Sequence, residues 1–404
     1  MALFEYTAKN SSDGSKVKST IQADSERAAA KMLISQGLTP IEIRSARDSK
    51  GLIDGLTNRI KAKEKVILFR QFATLLNAGL PLAQSLKTVQ DQTENKKLKT
   101  IVQEVVNDIE AGKTLSSAFE KHPNIANKVI IALMAAGETS GTLDKSLERI
   151  ANQLEKDAEI MAKVRSAMVY PALVVVVIIT VIAFMMIAVV PQIQQLYVDL
   201  KQELPFVTLV MVGVANLFRY FWWLVLILLV AVVYSSRQYI NTESGRLQWD
   251  SIKYNAPLFG NLFKKLYMSR FTRTGEVLLA SGVQMLEMLS ICADAVNNVQ
   301  VGKAIIRASE KVKGGKALSV SLKDEEYIMP LVSQMIGVGE QSGTIDSMME
   351  KTATYYEKEL DNEIRALSTA IEPVLMIMLA IVAGFLVVAI LLPIYGLVGS
   401  GAIR

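Results

Sequence analysis

The chain has 404 residues, with 44 Lys or Arg, 39 Asp or Glu, a net charge of +5 and 51% hydrophobic residues. Its mean hydropathy of +0.30 comes from long apolar runs rather than from a greasy soluble core, which is the pattern of a membrane protein. One cysteine (Cys292) and one histidine (His122) exclude an intrachain disulfide, a cysteine-based zinc site and a Cys–His dyad.

Residues 1–47 read as a small α+β module. Residues 3–8 and 17–23 have partly alternating strand character and are separated by turn residues 10–14. A helix is predicted from Asp24-Ser25-Glu26 to Gly37, with Ile41-Glu42-Ile43 as a third strand after Pro40. No signal peptide is expected, because residues 1–14 hold no apolar stretch. Residues 48–62, with Gly51 and Gly55, read as a linker. From Lys63 the apolar period becomes helical: Val66, Phe69, Phe72, Ala73 and Leu76 make one face, ended by Gly79 and Pro81. Helices are predicted over 82–92, 98–109 and 125–136, punctuated by Gly112, Pro123 and Gly137. A longer helix follows, in which Leu143, Leu147, Ile150, Leu154, Met161, Val164 and Met168 form a seam interrupted around Asp157-Ala158. Cys292 reads as a small core residue, and His122, before Pro123, as a solvated turn residue.

Residues 168–190 and 374–392 meet the length needed to cross a membrane, about 20 residues. A third, shorter run at 220–234 opens on the aromatic cluster Tyr220-Phe221-Trp222-Trp223 and has Arg219 at one end. Lys156, Lys163 and Arg165 precede the first span, and seven Lys or Arg residues follow the second between Arg237 and Arg273. Lys201 alone lies in the loop after the first span, and Arg404 alone after the third. The positive-inside rule therefore places the N-terminus and both polar blocks in the cytoplasm and the C-terminus outside. No basic patch interleaved with aromatics is seen, so nucleic acid is not expected as a partner.

The chain is duplicated. Gly137, Glu138, Ser140, Gly141, Thr142 and Asp144 return as Gly339, Glu340, Ser342, Gly343, Thr344 and Asp346, a constant offset of 202 (Glu138 to Glu340). Upstream, Gly112-Lys113-Thr114-Leu115-Ser116 returns as Gly315-Lys316-Ala317-Leu318-Ser319 at 203, and Arg70 returns as Arg273. The one-residue change of offset implies a loop deletion between the two motifs. The fold class is thus mainly α, a polytopic membrane protein with an N-terminal α+β module, two tandem cytoplasmic helical bundles and three transmembrane helices. The boundaries are 1–47 (module), 48–62 (linker), 63–168 (first bundle), 169–190 (first span) and 191–216 (outer, periplasmic loop). They continue with 217–236 (second span), 237–265 (connector), 266–372 (second bundle), 373–395 (third span) and 396–404 (outer tail).

Gly112-Lys113-Thr114 is not a phosphate loop, because Asn107 occupies the position of the required upstream glycine and no strand precedes it. The Gly-Glu-Xaa-Ser-Gly-Thr motif reads as turn grammar, with glycine ending one helix and Ser or Thr capping the next. Glu138 and Glu340 do not fit it, since a carboxylate near a helix C-terminus opposes the dipole. Each needs a partner: an internal Lys or Arg, a bound cation, or a basic patch on another protein, with an internal ion pair the expectation. Pro171 and Pro373 stand where each long helix goes into its span, as a kink at the membrane boundary or a functional hinge. Arg365 is a candidate partner for Glu372, and Ala380 with Gly384 form a small-xxx-small pair suited to helix packing. No span holds a central ionisable residue, so no proton relay or ion site is expected, and nothing indicates a catalytic set, cofactor or metal.

Together these residues resemble the inner-membrane platform protein family shared by type IV pilus assembly and type II secretion machines. The likeness covers Phe4, Tyr6 and Ala8, then Gly37-Leu38 and Pro40, residues 72–79, the paired Gly-Glu motifs, Tyr170-Pro171, Val190-Pro191, Glu203-Leu204-Pro205 and Glu372-Pro373. Ser19 departs from a position that is often glycine in the family's N-terminal module. The resemblance implies a non-enzymatic scaffold with six-helix cytoplasmic bundles that dock a hexameric assembly ATPase. It also implies that the membrane part gathers pilins or pseudopilins, beside inner-membrane alignment proteins, in a homo-oligomer surrounded by membrane lipid. The alternative is a small membrane transporter or channel, which would need polar residues lining a path.

Overall fold

A computed structural model describes residues 2–10, 16–23, 26–35, 38–45, 60–199, 206–257 and 259–399. The chain divides into two compact units, residues 1–112 and residues 113–404. Most of the expected linker lies outside the described residues.

The first unit begins with β1 (Ala2–Asn10), β2 (Lys16–Ala23), α1 (Glu26–Ser35) and β3 (Leu38–Ser45). The antiparallel sheet has the order β2-β1-β3, and Ala8 packs on Leu33 of α1 beneath it. Pro40 pairs with Ala8 at a register shift on the edge strand β3, where a residue without an N–H is tolerated. Ser19 lies within β2, opposite Tyr6. Its departure from the family pattern therefore falls in a strand, not a turn. Helices α2 (Ala62–Asn77), α3 (Leu82–Gln92) and α4 (Lys96–Glu110) follow, and they bury Phe69, Phe72, Leu86, Val89, Val102 and Val106.

The second unit opens with α5 (Leu115–Glu120), α6 (Lys128–Ser140) and α7 (Leu143–Phe184), then a π-helical turn (Met185–Val189) and α8 (Val190–Asp199). It continues with α9 (Phe206–Ile240), α10 (Glu243–Asn255), α11 (Gly260–Ala280), α12 (Met285–Ala295) and α13 (Val299–Lys313). The last three are α14 (Leu318–Lys323), α15 (Pro330–Ser342) and α16 (Ile345–Gly399). Helix α11 packs along α16, burying Met268, Phe271, Leu278, Met349 and Tyr356. At Gly275 a Cβ would lie 2.3 Å from Met349 Cε, so a larger residue there would require the Met349 side chain to move. Cys292 is buried beside it, and burial pushes its thiol pKa up, which leaves an inert core residue. His122 is half-buried rather than solvated, and its carbonyl accepts from Ile125 N and Ala126 N.

Several expected boundaries move. Helix α6 runs through Gly137 to Ser140, because the positive φ that stops it is at Gly141 (69°). Helix α5, with six residues, is too short for a helical period to show in the sequence. The first apolar helix does not end at Val190. It continues through Pro191 to Asp199, into the expected outer loop, and α9 starts at Phe206 instead of residue 217. Proline removes an N–H and crowds the carbonyl four residues before it, here Ile187. The π-helical turn over Met185–Val189 widens the ladder at that point. The chain is likewise helical through Pro171 and Pro373. A non-helical residue falls instead at Phe221 (φ −118°, ψ 19°), inside the aromatic cluster. There Trp223 Nε1 donates to the Tyr220 carbonyl at 3.1 Å, taking an acceptor that the kink would leave exposed. Among the described residues two helical segments, Leu143–Asp199 and Ile345–Val388, are long and apolar enough to cross a membrane, and Leu226–Ile240 is a shorter apolar helix.

The long helices of the two repeats, α7 and α16, pack against each other. Lys156 Nζ lies 3.2 Å from Glu357 Oε2, and Lys163 Nζ lies 2.8 Å from Asp361 Oδ2. Glu357 also receives Arg273 Nε at 2.8 Å and NH2 at 3.0 Å, so it joins α7, α11 and α16. Below this, Leu262, Leu360 and Ile364 pack with Val164, Ala167, Phe259 and Leu367. The seam interruption at Asp157 lies beside a cavity of about 220 Å³ that Gln153, Arg270 and Asn297 also line. Burial pushes the Asp157 carboxyl above its ordinary value, more than the Arg270 charge and a hydrogen bond from Gln153 pull it down. A carboxyl raised in this way weakens the fold once ionised. That weakening is absent below the ordinary carboxylate pKa and is complete above the raised value. Asp157→Asn is therefore expected to raise the thermal midpoint of the purified chain at neutral pH, with the gap closing in acid. A gap of equal size at every pH would refute this account.

Candidate functional site

The duplicated motif forms the same object twice. In the first copy α6 stops at Gly141 in the left-handed region (φ 69°), with Thr142 N donating back to the Gly137 carbonyl at 2.9 Å. In the second, α15 stops at Gly343 (φ 71°), and Thr344 N donates to Gly339 O at 2.8 Å. A non-glycine residue would meet the steric cost of this backbone region, about 1–2 kcal/mol. The first glycine of each motif serves another purpose. Gly137 is buried, and a Cβ there would lie 2.5 Å from Ser146 Oγ of α7. A Cβ on Gly339 would lie 2.7 Å from Ile345 Cα. These glycines let consecutive helices cross closely. Ser140 and Ser342 do not cap the next helix, contrary to the turn reading. Ser140 Oγ donates to Ala136 O at 2.8 Å, and Ser342 Oγ donates to Val338 O at 2.8 Å. Each serine hydroxyl also bonds the neighbouring threonine hydroxyl at 2.7 Å, and Thr142 makes no side-chain cap on α7.

The glutamates have a partner, but it is not the expected ion pair. Glu138 Oε1 accepts from Leu115 N, while its Oε2 accepts from Ser116 N at 3.3 Å and Ser116 Oγ at 2.6 Å. The second copy matches: Glu340 Oε1 accepts from Leu318 N at 2.5 Å, and Oε2 accepts from Ser319 N at 3.3 Å and from Ser319 Oγ. Each carboxylate sits at the C-terminal end of its own helix because it closes the N-terminus of another. A helix N-terminus exposes unpaired N–H groups and partial positive charge, so it suits a carboxylate. In α5 the closure is completed locally, with Ser117 N donating to Thr114 Oγ1 at 3.3 Å and Ala118 N to Thr114 O at 3.0 Å. Ala317 replaces that threonine in α14 and provides no side-chain cap. The Gly-Lys-Xaa-Leu-Ser segment and the Gly-Glu motif are therefore two halves of one device. The missing residue falls in the loop between them, residues 121–127 in one copy and 324–329 in the other.

The other sequence candidates are not brought to this place. Glu372, Pro373, Ala380 and Gly384 are exposed along α16, whereas Pro171 is buried on α7. Glu372 and Arg365 form no ion pair among the described residues. A Cβ on Gly384 would meet nothing within 4 Å, so the small pair packs on no helix described in this chain. Sequence reading missed the Arg273–Glu357–Lys156 brace, the Glu325 carboxylate and the buried Asp250. Glu325 is buried, which raises its pKa, but hydrogen bonds from Arg307 and Lys311 hold it below its ordinary value. Leu115-Ser116 and Leu318-Ser319 were visible as a repeat, and their near-constant separation from the glutamates was the usable signal. Among the described residues no group of three or more His, Cys, Asp or Glu side chains could hold a metal ion.

Comparison with known proteins follows the same division. Residues 68–191 and 271–393 each match the family described as Type II secretion system (T2SS), protein F, and residues 1–44 match that protein's N-terminal domain family. The chain is 37% identical over 410 residues to a type IV pilus assembly protein PilC of Thermus thermophilus, covering all of both chains. It is 35% identical to PilC of Myxococcus xanthus, over 99% of this chain and 96% of that one. To the type II secretion system protein F of Aeromonas hydrophila it is 31% identical, over 92% and 97%.

Replacing Glu138 with Ala leaves two helix-end amides and a hydroxyl without their charged acceptor, which should destabilise the chain by about 2–3 kcal/mol. Amide hydrogen exchange across residues 115–117 should accelerate. Glu138→Gln keeps one acceptor and should recover part of the protection. Unchanged exchange in Glu138→Ala would show that the carboxylate does not hold α5.

Proposed function

The chain belongs to the Type II secretion system protein F family, and on that premise we propose that it is the inner-membrane platform of a type IV filament machine. The supporting observation is full-length similarity to pilus assembly and secretion relatives across the module and both repeats. The family points to a structural rather than a catalytic role. The platform docks a cytoplasmic assembly ATPase and couples its motion to the extraction and polymerisation of pilin or pseudopilin subunits. It does so as a homo-oligomer, beside inner-membrane alignment proteins.

In this reading α7 and α16 are parallel stalks, each passing without a break from a cytoplasmic six-helix bundle into the bilayer, and α9 is a third span that returns the chain to the cytoplasm. Both bundles and the N-terminal module are cytoplasmic, and the C-terminus is outside. A continuous helix transmits displacement along its axis, and the Lys156–Glu357–Arg273 brace makes the two stalks move together. Pro171 and Pro373, at the bundle–membrane boundary, are the points at which the stalks bend. Glu138 and Glu340 act on docking through the positions of α5 and α14, since their oxygens are already engaged.

The two PilC relatives share 37% and 35%, but the type IV pilus assembly protein TapC of Aeromonas hydrophila shares 30% against 31% for that organism's secretion protein, so identity does not choose between the two machines. Deletion of the gene should abolish surface pili with pilin still in the membrane, as seen by filament imaging and membrane immunoblotting. Complementation with Glu357→Lys should restore insertion but not pili. Normal pili together with normal protein secretion in the deletion strain would end the platform reading, and solute flux from vesicles holding the purified chain would support transport instead.

A further inference from the structure

Helix α10 carries two faces of opposite chemistry. On its inner face Asp250 is buried, and Asp250 Oδ2 accepts from Val299 N at 2.9 Å, closing the N-terminus of α13. Asn298 Nδ2 donates to the Asp250 carbonyl at 3.4 Å. One turn on, Tyr254 is buried, with its ring 4.9 Å from that of Tyr327. These contacts pin α10 to the bundle and fix which side looks out. The outer side presents Trp249 and Ile252, 41% and 59% exposed and three residues apart, hence on one helical face. Arg246 and Lys253 lie together along the Trp249 edge of that face, by helical register. Lys253 Nζ stands 5.6 Å from the Trp249 ring centroid and 3.4 Å from Asp250 Oδ1. The Arg246 guanidinium donates to the neutral amide of Asn297 at 3.3 Å. Glu243, in the first turn, falls on the opposite side by helical register.

Both ends of α10 are tied to the layer where the long helices go into the membrane. At its start only Asn241 and Thr242 separate it from the apolar α9. The turn between them is tight: Thr242 Oγ1 donates to Tyr239 O at 2.6 Å, and a Cβ on Gly245 would overlap that same carbonyl. Tyr239 Oη also donates to Gln248 Oε1 at 2.9 Å, holding α10 against the end of α9. Past its other end Phe259 packs with Ala167 and Leu367, within two turns of Pro171 and Pro373. With α9 as a span, a helix about 20 Å long held at that level at both ends would lie along the membrane surface.

We propose that α10 is an interfacial helix, with Trp249 and Ile252 inserted at the headgroup–acyl boundary of the cytoplasmic leaflet and Arg246 and Lys253 on anionic phospholipid headgroups. A short helix with an aromatic–aliphatic face and one basic edge is suited to that boundary, where binding combines buried apolar area with attraction to anionic lipid. This assignment rests on α9 being a span. The helix would set the height of the second bundle above the bilayer, independently of the spans.

The chain has three tryptophans, Trp222, Trp223 and Trp249, so two variants of the full chain separate the questions. Trp222→Phe with Trp223→Phe leaves Trp249, and Trp222→Phe with Trp249→Phe leaves Trp223. Each is reconstituted in phosphatidylcholine–phosphatidylglycerol vesicles with or without bromine in the upper acyl chain. Both are expected to be quenched, with about half of the Trp249 emission lost, as for a side chain 5–10 Å into the boundary. Omitting phosphatidylglycerol, or adding Arg246→Gln and Lys253→Gln, should reduce Trp249 quenching and leave that of Trp223 unchanged. Quenching of Trp223 without Trp249 would overturn the interfacial helix while leaving α9 as a span. Absence of Trp223 quenching would overturn the span itself. Trp249 quenching indifferent to phosphatidylglycerol would overturn the headgroup assignment.

Discussion

A carboxylate laid across the N-terminus of a six-residue helix is the contact on which each repeat depends. Helices of one or two turns do not hold together on their own hydrogen bonds, because nucleation fixes several residues before many bonds form. Helices α5 and α14 are of this kind. Glu138 and Glu340 take up their first amides from the far ends of α6 and α15, so each short helix is placed by its neighbour. The same two glycines that surround each glutamate, one permitting a close crossing and one supplying the positive φ, aim the following long helix. Placement of the short helix and direction of the stalk are therefore set at one point.

Asp250 repeats the principle in a third setting. Its carboxylate closes α13, but it belongs to α10, which lies between α9 and α11 and outside both matched repeats. Acids closing helix ends, Asp250 buried and Glu138 and Glu340 half-buried, fasten the successive pieces of the second unit. Exposed ion pairs contribute little in water. The exception is Glu357, whose two oxygens receive a largely buried arginine from its own repeat and a lysine from the other. This arrangement suits a residue that holds the long helices of the two repeats side by side.

Much of this was legible in the residues. The duplication, the long helices, the strand-and-helix module and the two apolar stalks followed from periodicity and repeated motifs, because burial of one helical face leaves a trace every three or four residues. The boundaries that moved did so for local reasons. Gly137 looked like a stop because glycine often is one, yet here its missing Cβ serves a helix crossing. Pro191 looked like the end of a helix, but the helix runs through it after a π-helical turn. The kink at Phe221 has no proline to announce it and is tied to an indole N–H bonding a backbone carbonyl.

The sequence alone determined the class of protein, its twofold construction and the glutamates that break helix-end rules, since these depend on composition, spacing and charge preference along one chain. It could not determine what the glutamates touch. Their partners are backbone amides 22 or 23 residues away, and an amide has no identity in a sequence: every residue but proline carries one. Only the folding of α6 over α5, and of α15 over α14, decided which amides were left unpaired and within reach. The same holds for the outward Trp249–Ile252 face of α10, because burial of Asp250 and Tyr254 on the opposite side is a tertiary fact.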